Sequence, residues 1–383
     1  YAAAHDGAPL PSASADDPAA WQSFMRWREE VIGQHLALLY AAMQEQNPEA
    51  FFMAELAGPQ SPAWALSAAH HLPSLARSCS QLLLTAGEVS AGRVSRDWVG
   101  LACEQARAAR RKRAPIINIK MQMRELDYPH ALMPPAEFAF HAYQALAHGA
   151  GLKAPTFGLP EHQADPRALP ALTEVFRFMR QQQTVLDSAL PIVQIALVWP
   201  SEALREEPAN APTKGLRGEM LGLYEALRSH HMLFGLLYDE KLDARSLGRY
   251  GAVVLPTATG LSAEQTAALG DYARAGGVVI VLDCPASNGQ FASLPSAVCE
   301  LLGGEWSQEV GRTRYALRDA VNAPASLAHV GPIAMTRPYR RVKAPDSAQT
   351  WLWASRSSDI VIPEDLGAPE PSQDPLAWTV PLG

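Results

Sequence analysis

Short, mostly apolar runs alternate with longer stretches of helical apolar spacing through the first 190 or so residues, and that alternation points to a parallel sheet with helices covering its faces. The runs are Ala50-Phe51-Phe52-Met53-Ala54, Gln81–Thr85, Pro115–Met121 and Gly151–Thr156. Each reads as a strand, and the first, apolar throughout, as one buried on both faces. Helices are expected over Val94–Arg111, Pro135–His148 and Pro166–Leu186. A longer one precedes them all. From Asp17 to Gln46 the residues Trp21, Phe24, Met25, Ile32, Leu36, Leu39, Tyr40 and Met43 recur at helical spacing, and Asp17 followed by Pro18 reads as an N-cap with proline at the first helical position. Asn47-Pro48 should end it.

A second α/β pattern begins near Ile192. Strands are expected over Ile192–Trp199, Met232–Leu237, Gly251–Pro256 and Gly277–Asp283, with helices over Leu216–Ser229 and Ser262–Ala275. Gly276-Gly277 is placed to make the left-handed turn out of the last helix. Beyond about residue 303 the periodicity weakens into short mixed segments and a Pro-rich tail from Pro363, as a small β-rich or irregular segment would show. The boundaries expected are therefore 1–190, 191–303 and 304–383. A chain of 383 residues holds two or three domains of the usual size.

Composition excludes several classes. With 48% hydrophobic and 19% charged residues and a net charge of −7, the chain is too apolar for disorder and carries no general pull toward nucleic acid. Its one basic cluster, Arg107, Arg110, Arg111, Lys112 and Arg113, falls at the end of an expected helix, where the helix dipole favours positive charge. Cys79, Cys103, Cys284 and Cys299 form no C-x-x-C pair, which excludes a zinc ribbon and a disulfide scaffold. Each sits in or beside an apolar run and is expected as a buried free thiol, compatible with a reducing compartment and so with the cytoplasm. No apolar run approaches the length that crosses a bilayer, and the opening residues lack the pattern of a signal peptide. The absence of an initiating Met marks the chain as processed or a fragment.

The order of segments carries a resemblance. Trp21-x-x-Phe24-x-x-Trp27-Arg28, the long helix, Asn47-Pro48-Glu49-Ala50, Pro135-x-Glu137-Phe138 and Tyr143-Gln144-Ala145-Leu146-Ala147-His148-Gly149-Ala150 resemble the barrel of glycoside hydrolases related to the family 42 β-galactosidases and to the hypothetical glycosyl hydrolase 6 family. The second pattern looks like the family 42 trimerisation domain, a relative of the class I glutamine amidotransferase fold. Leu197-Val198-Trp199-Pro200-Ser201, Arg217-Gly218-Glu219-Met220-Leu221-Gly222-Leu223-Tyr224-x-Ala226-Leu227 and Tyr250-Gly251-Ala252-Val253-Val254-Leu255-Pro256 carry that likeness. The resemblance implies a (β/α)8 TIM barrel, then a flavodoxin-like α/β domain, then the β-rich tail. It also implies a homotrimer and a glycoside substrate, with no cofactor and no metal. Only about four strand–helix units precede residue 190, whereas a closed barrel takes roughly 250 residues. The front half of the barrel is therefore expected to be missing.

Glycoside hydrolysis uses two carboxyl groups flanking the scissile bond, and on a barrel they belong at the C-terminal ends of strands. Glu55 is expected just after the first strand and Glu88 just after the second; these are the candidate catalytic pair. Glu125 and Asp127 lie in the loop after the third strand and are candidates for substrate contact. For all four, an ordinary solvated loop charge is the competing reading, and the resemblance allows one catalytic carboxylate to lie upstream of Tyr1. Trp64, Trp98 and Tyr128 are candidate sugar-stacking rings. Trp21 and Trp27 have core spacing on the long helix. His70 and His71 are adjacent, so their side chains diverge and cannot share a metal, yet either could bond a sugar hydroxyl. His148 reads as a helix C-cap whose imidazole meets the last carbonyls.

An amidotransferase-like domain raises the question of a nucleophilic cysteine. The strand Gly251–Pro256 leads instead into Thr257-Ala258-Thr259-Gly260, and the only histidine after Cys284 is His329. That domain is expected to be non-catalytic. Two readings of the whole chain remain: a β-galactosidase-like hydrolase, incomplete by itself, and a non-catalytic carbohydrate-binding and oligomerisation protein derived from one.

Overall fold

The computed structural model describes residues 2–7, 9–11, 17–57, 68–85, 98–109, 115–119, 132–156, 159–163, 165–206, 215–283, 291–313, 315–327, 329–335, 338–355 and 371–381. Along the chain come helix α1 (Pro18–Gln46), strand β1 (Met53–Ala57), α2 (Leu72–Leu75), β2 (Gln81–Thr85) and α3 (Trp98–Ala109). Then follow β3 (Ile116–Asn118), α4 (Pro135–Ala147), β4 (Gly151–Lys153), α5 (Leu169–Gln181) and α6 (Gln183–Ser188). The alternation continues through β5 (Ile195–Trp199), α7 (Ser201–Glu206), α8 (Gly215–Ser229), β6 (Phe234–Tyr238), α9 (Ala244–Leu247), β7 (Ala252–Leu255), α10 (Ala263–Arg274) and β8 (Val278–Val281). After α11 (Ser296–Leu302) the described elements are mainly strands: β9 (Glu305–Gly311), β10 (Tyr315–Arg318), β11 (Ile333–Ala334), β12 (Tyr339–Lys343), β13 (Gln349–Ser355) and β14 (Pro371–Thr379). No described helix is long and apolar enough to cross a membrane. The contacts divide the chain into two compact units, one of 1–194, 204–212 and 221–238, the other of 195–203, 213–220 and 239–383.

In the first unit β1, β2, β3 and β4 form a parallel sheet in sequence order. Sequential parallel neighbours require crossover helices, and α3 and α4 supply them for β2–β3 and β3–β4. Leu82, Leu84, Ile117 and Ile119 are almost completely buried, as are Leu101, Cys103, Phe138 and Ala142 on those helices. Burying this apolar surface is the main favourable term. Helix α1 starts as its sequence suggests: Asp17 accepts the Ala20 N–H at 2.9 Å, Pro18 stands in the first turn, and Asn47 ends the helix. Trp21 and Trp27 are half-buried and both meet the Phe24 ring. Deeper in, Arg205 makes a two-pronged ion pair with Glu29 at 2.8–3.3 Å, each side chain 9% exposed.

Three expectations need correction. Strand β1 runs over Met53–Ala57 rather than 50–54, because the Asn47–Ala50 turn and the Phe52 N–H, which donates to the Ser80 hydroxyl, hold the earlier residues off the ladder. Met53 and Glu55 are exposed while Ala54 and Leu56 are buried, so this strand is covered on one face, not two. Glu55 is therefore a mid-strand residue and not a loop carboxylate. The helix expected over Pro166–Leu186 is two helices meeting at Gln182, whose N–H still bonds the Phe178 carbonyl at 2.9 Å. At the end of α4, His148 is the C-cap, as expected, but its imidazole turns to Glu104 at 3.0 Å and not to the carbonyls, while the Arg107 guanidinium donates to the His148 carbonyl.

In the second unit β5, β7 and β8 are parallel, with Leu197 level with Val254 and Val254 with Ile280. Helix α10 opens on a complete capping box between Ser262 and Gln265, which satisfies two of its orphan N–H groups. Its exit divides the labour between two glycines. Gly276 takes φ +95°, whereas a Cβ on Gly277 would meet the Tyr272 ring at 2.3–2.5 Å. That ring is fixed by the Tyr272 hydroxyl, which donates to the Tyr250 carbonyl at 2.9 Å. Strands β9 and β12 pair antiparallel, and so do β10 with β11 and β13, and β13 with β14. Arg340 on β12 is nearly fully buried, bonded to Asp283 at 2.7 Å and to the Ala292 carbonyl at 2.6 Å.

Candidate functional site

The face of the first sheet that carries Glu55 gathers three polar side chains from three strands. In register, Glu55 is level with Leu83, Ile116 and Gly151, and Asn118 with Lys153 two residues nearer the C-terminal ends. Alternation along a strand puts Glu55, Asn118 and Lys153 on the same face. The geometry joins them: Asn118 Nδ2 donates to Glu55 Oε1 at 2.9 Å, and Lys153 Nζ to Glu55 Oε2 at 3.1 Å. Asn118 is 2% exposed. The Glu55 and Lys153 side chains are 49% and 40% exposed, so the pair is open to a ligand. Both carboxylate oxygens accept a donor, which orients the group.

Neither Asn118 nor Lys153 was expected from the sequence as a site residue. Their signal was a polar residue closing an apolar strand, Ile116-Ile117-Asn118 and Gly151-Leu152-Lys153, a cue that is weak without the register. Glu88, Glu125, Asp127, Trp64 and Tyr128 lie outside the described residues. Trp98 opens α3 and is 4% exposed, with its ring 5.4 Å from that of His141. Burial pushes the His141 imidazole below its ordinary pKa. His71 is buried, its Nδ1 2.8 Å from the Ser74 hydroxyl and its ring edge-on to Tyr238, while His70 is half-buried. Among the described residues no three His, Cys, Asp or Glu side chains converge as metal ligands. Cys79 and Cys103 are buried free thiols, Cys299 is half-buried, and Cys284 is outside the described residues.

A second polar cluster lies between helices of the same unit. Glu104 is 8% exposed at its side chain and holds His148 Nδ1. The absence of a side chain at Gly100 is what lets the other ring nitrogen and the Tyr224 hydroxyl close in, since a Cβ there would stand 2.9 Å and 2.8 Å from them. This cluster ties α3, the end of α4 and α8 together and is structural.

No protein-family model and no curated protein matches the sequence. Solved structures do. The chain superposes on β-galactosidase from Bacillus circulans sp. alkalophilus with a TM-score of 0.68 at 13% identity, covering 87% of this chain and 51% of that one. With the β-galactosidase from the psychrophilic Marinomonas ef1 the TM-score is 0.64 at 14% identity, over 88% and 55%. A catalytic mutant of a GH42 β-galactosidase from G. stearothermophilus gives 0.63 at 13%, over 87% and 51%. The chain spans about half the length of these enzymes, and its fold is that of part of a family 42 β-galactosidase.

Proposed function

We propose that this chain is the C-terminal half of a (β/α)8 glycoside hydrolase barrel, over 1–190, followed by a flavodoxin-like oligomerisation domain over 191–303 and a β-rich segment over 304–383. The complete protein hydrolyses O-glycosidic bonds, with a β-galactoside as the first substrate to try. The observation that carries this reading is the match, over 87% of the chain, to the fold of family 42 β-galactosidases. The described part of the sheet has four parallel strands in sequence order, half the number a closed barrel needs.

On this reading the Glu55, Asn118 and Lys153 face lies inside the barrel and binds sugar hydroxyls. Glu88 is the candidate acid/base, with its partner carboxylate elsewhere in the complete site. Glu125, Asp127, Trp64 and Tyr128 are candidates for substrate contact, and a homotrimer is the assembly the likeness suggests. The test is hydrolysis of p-nitrophenyl β-D-galactoside by the full-length natural gene product and its variants. Glu88→Gln should lower kcat by at least about 10²-fold, the scale of a lost general acid–base group, while Lys153→Ala should act mainly on KM. Hydrolysis that survives Glu88→Gln unchanged removes Glu88 from the mechanism. Failure to cleave any of a panel of aryl glycosides favours the alternative, a binding and assembly protein, for which a Glu55 carboxylate oriented by Asn118 and Lys153 is the supporting observation.

A further inference from the structure

The β-rich end of the chain carries an open groove of about 770 Å³, between the β9–β12 ribbon and the β13–β14 pair. That volume is in the range of small-ligand sites. Trp306 and Trp353 line it, and both rings are half-buried and fixed. The Trp306 indole N–H donates to the Gly303 carbonyl at 2.8 Å, and the Trp353 N–H to Asp319 at 2.8 Å. With their N–H groups committed, what these residues offer the groove is ring surface.

Around the rings stand planar polar groups. Arg341 Nη1 lies 3.5 Å from Glu309 and its Nε 3.6 Å from Asp374, with its side chain 51% exposed. The Glu309 contact is a long hydrogen bond and Tyr339 also bonds the guanidinium, yet with half its surface exposed the fork stays within reach of a ligand. Asp374 is positioned from behind by the Tyr339 hydroxyl, which donates to it at 2.7 Å.

The charge balance selects the ligand. Among the described residues the groove carries Glu305, Glu309, Asp346 and Asp374 with Arg341 and Lys343, four acids against two bases, which disfavours a phosphate or any polyanion. The charged rim equally disfavours a purely apolar ligand. A neutral pyranose satisfies both halves: one face of C–H groups lies against the negative face of an indole, and its vicinal hydroxyls match the paired acceptors of a carboxylate and the fork of an arginine. We propose that this groove is a binding site for a neutral saccharide, stacked on the tryptophan surface and hydrogen-bonded by Arg341, Glu309 and Asp374. It is separate from the barrel face, and it does not depend on the chain taking part in hydrolysis.

The test is affinity electrophoresis of the full chain in native gels containing soluble β-1,4-galactan, β-glucan or polygalacturonate. At least one neutral polysaccharide should retard the protein, and polygalacturonate should not. Trp306→Ala and Arg341→Ala should each weaken that retardation at least tenfold. Arg341 is half-exposed, so its variant remains informative even if Trp306→Ala fails to fold. The loss on Arg341→Ala must also appear in a Glu55→Gln, Lys153→Ala background, where the barrel face is already impaired, which separates this groove from that face. No retardation by either neutral polymer, retardation that survives Arg341→Ala, or stronger binding to polygalacturonate would each overturn the proposal.

Discussion

Arg205 and Glu29 bury their charges against one another, and a pair like this is costly to halve. Glu29→Gln takes the carboxylate charge away from a guanidinium held out of water, and the expected loss is about 3–5 kcal/mol, read as a fall in the urea midpoint. Glu55 and Lys153 form the opposite kind of pair. Both are about half-exposed, so Glu55→Gln or Lys153→Ala should cost no more than about 1 kcal/mol. Activity changes in those variants would then report on the site and not on folding. His141 adds a pH dependence whose sign can be worked out. Burial lowers its pKa in the folded state, so below the unfolded value of about 6.5 the unfolded chain binds more protons. Stability should therefore fall as pH drops from about 7 toward 5. Thermal melts of the wild type and His141→Gln across that range test this: the variant should show a flatter dependence, and parallel curves would remove His141 as the cause.

Elements were more legible in the sequence than the site was. The capped start of α1 and the bounds of β2 follow from local rules, since an Asp before Pro and a run of three leucines between Gln81 and Thr85 each leave the backbone few choices. Strand β1 shifted because its ladder starts where the Phe52 N–H finishes bonding to Ser80, a contact 28 residues away that no local pattern records. The same long-range origin hid Asn118 and Lys153, whose partnership with Glu55 exists only through strand register. The glycines at the end of α10 show a related limit. The turn was legible at Gly276, whereas the demand for no side chain at Gly277 comes from the Tyr272 ring. Gly277→Ala should destabilise by about 1–3 kcal/mol through overpacking. Gly222 lies within α8, where a Cβ meets nothing within 4 Å, so Gly222→Ala should stabilise by about 0.5–1 kcal/mol. Chemical denaturation of the two variants should move the midpoint in opposite directions.

At the scale of the whole molecule, the first sheet ends on β1 and β4, whose outer edges have no strand partner among the described residues. Unpaired edges of a parallel sheet template further pairing, so the 383-residue chain expressed by itself is expected to self-associate. Sedimentation velocity should show concentration-dependent species, and a sharply melting monomer would count against a half-barrel. The most direct measurement is the intact mass of the natural gene product together with its N-terminal sequence. A product extended by roughly 100 residues or more before Tyr1, with strand–helix alternation sufficient to bring a barrel to about 250 residues, is the predicted result. A natural product that begins at or near Tyr1 would contradict it.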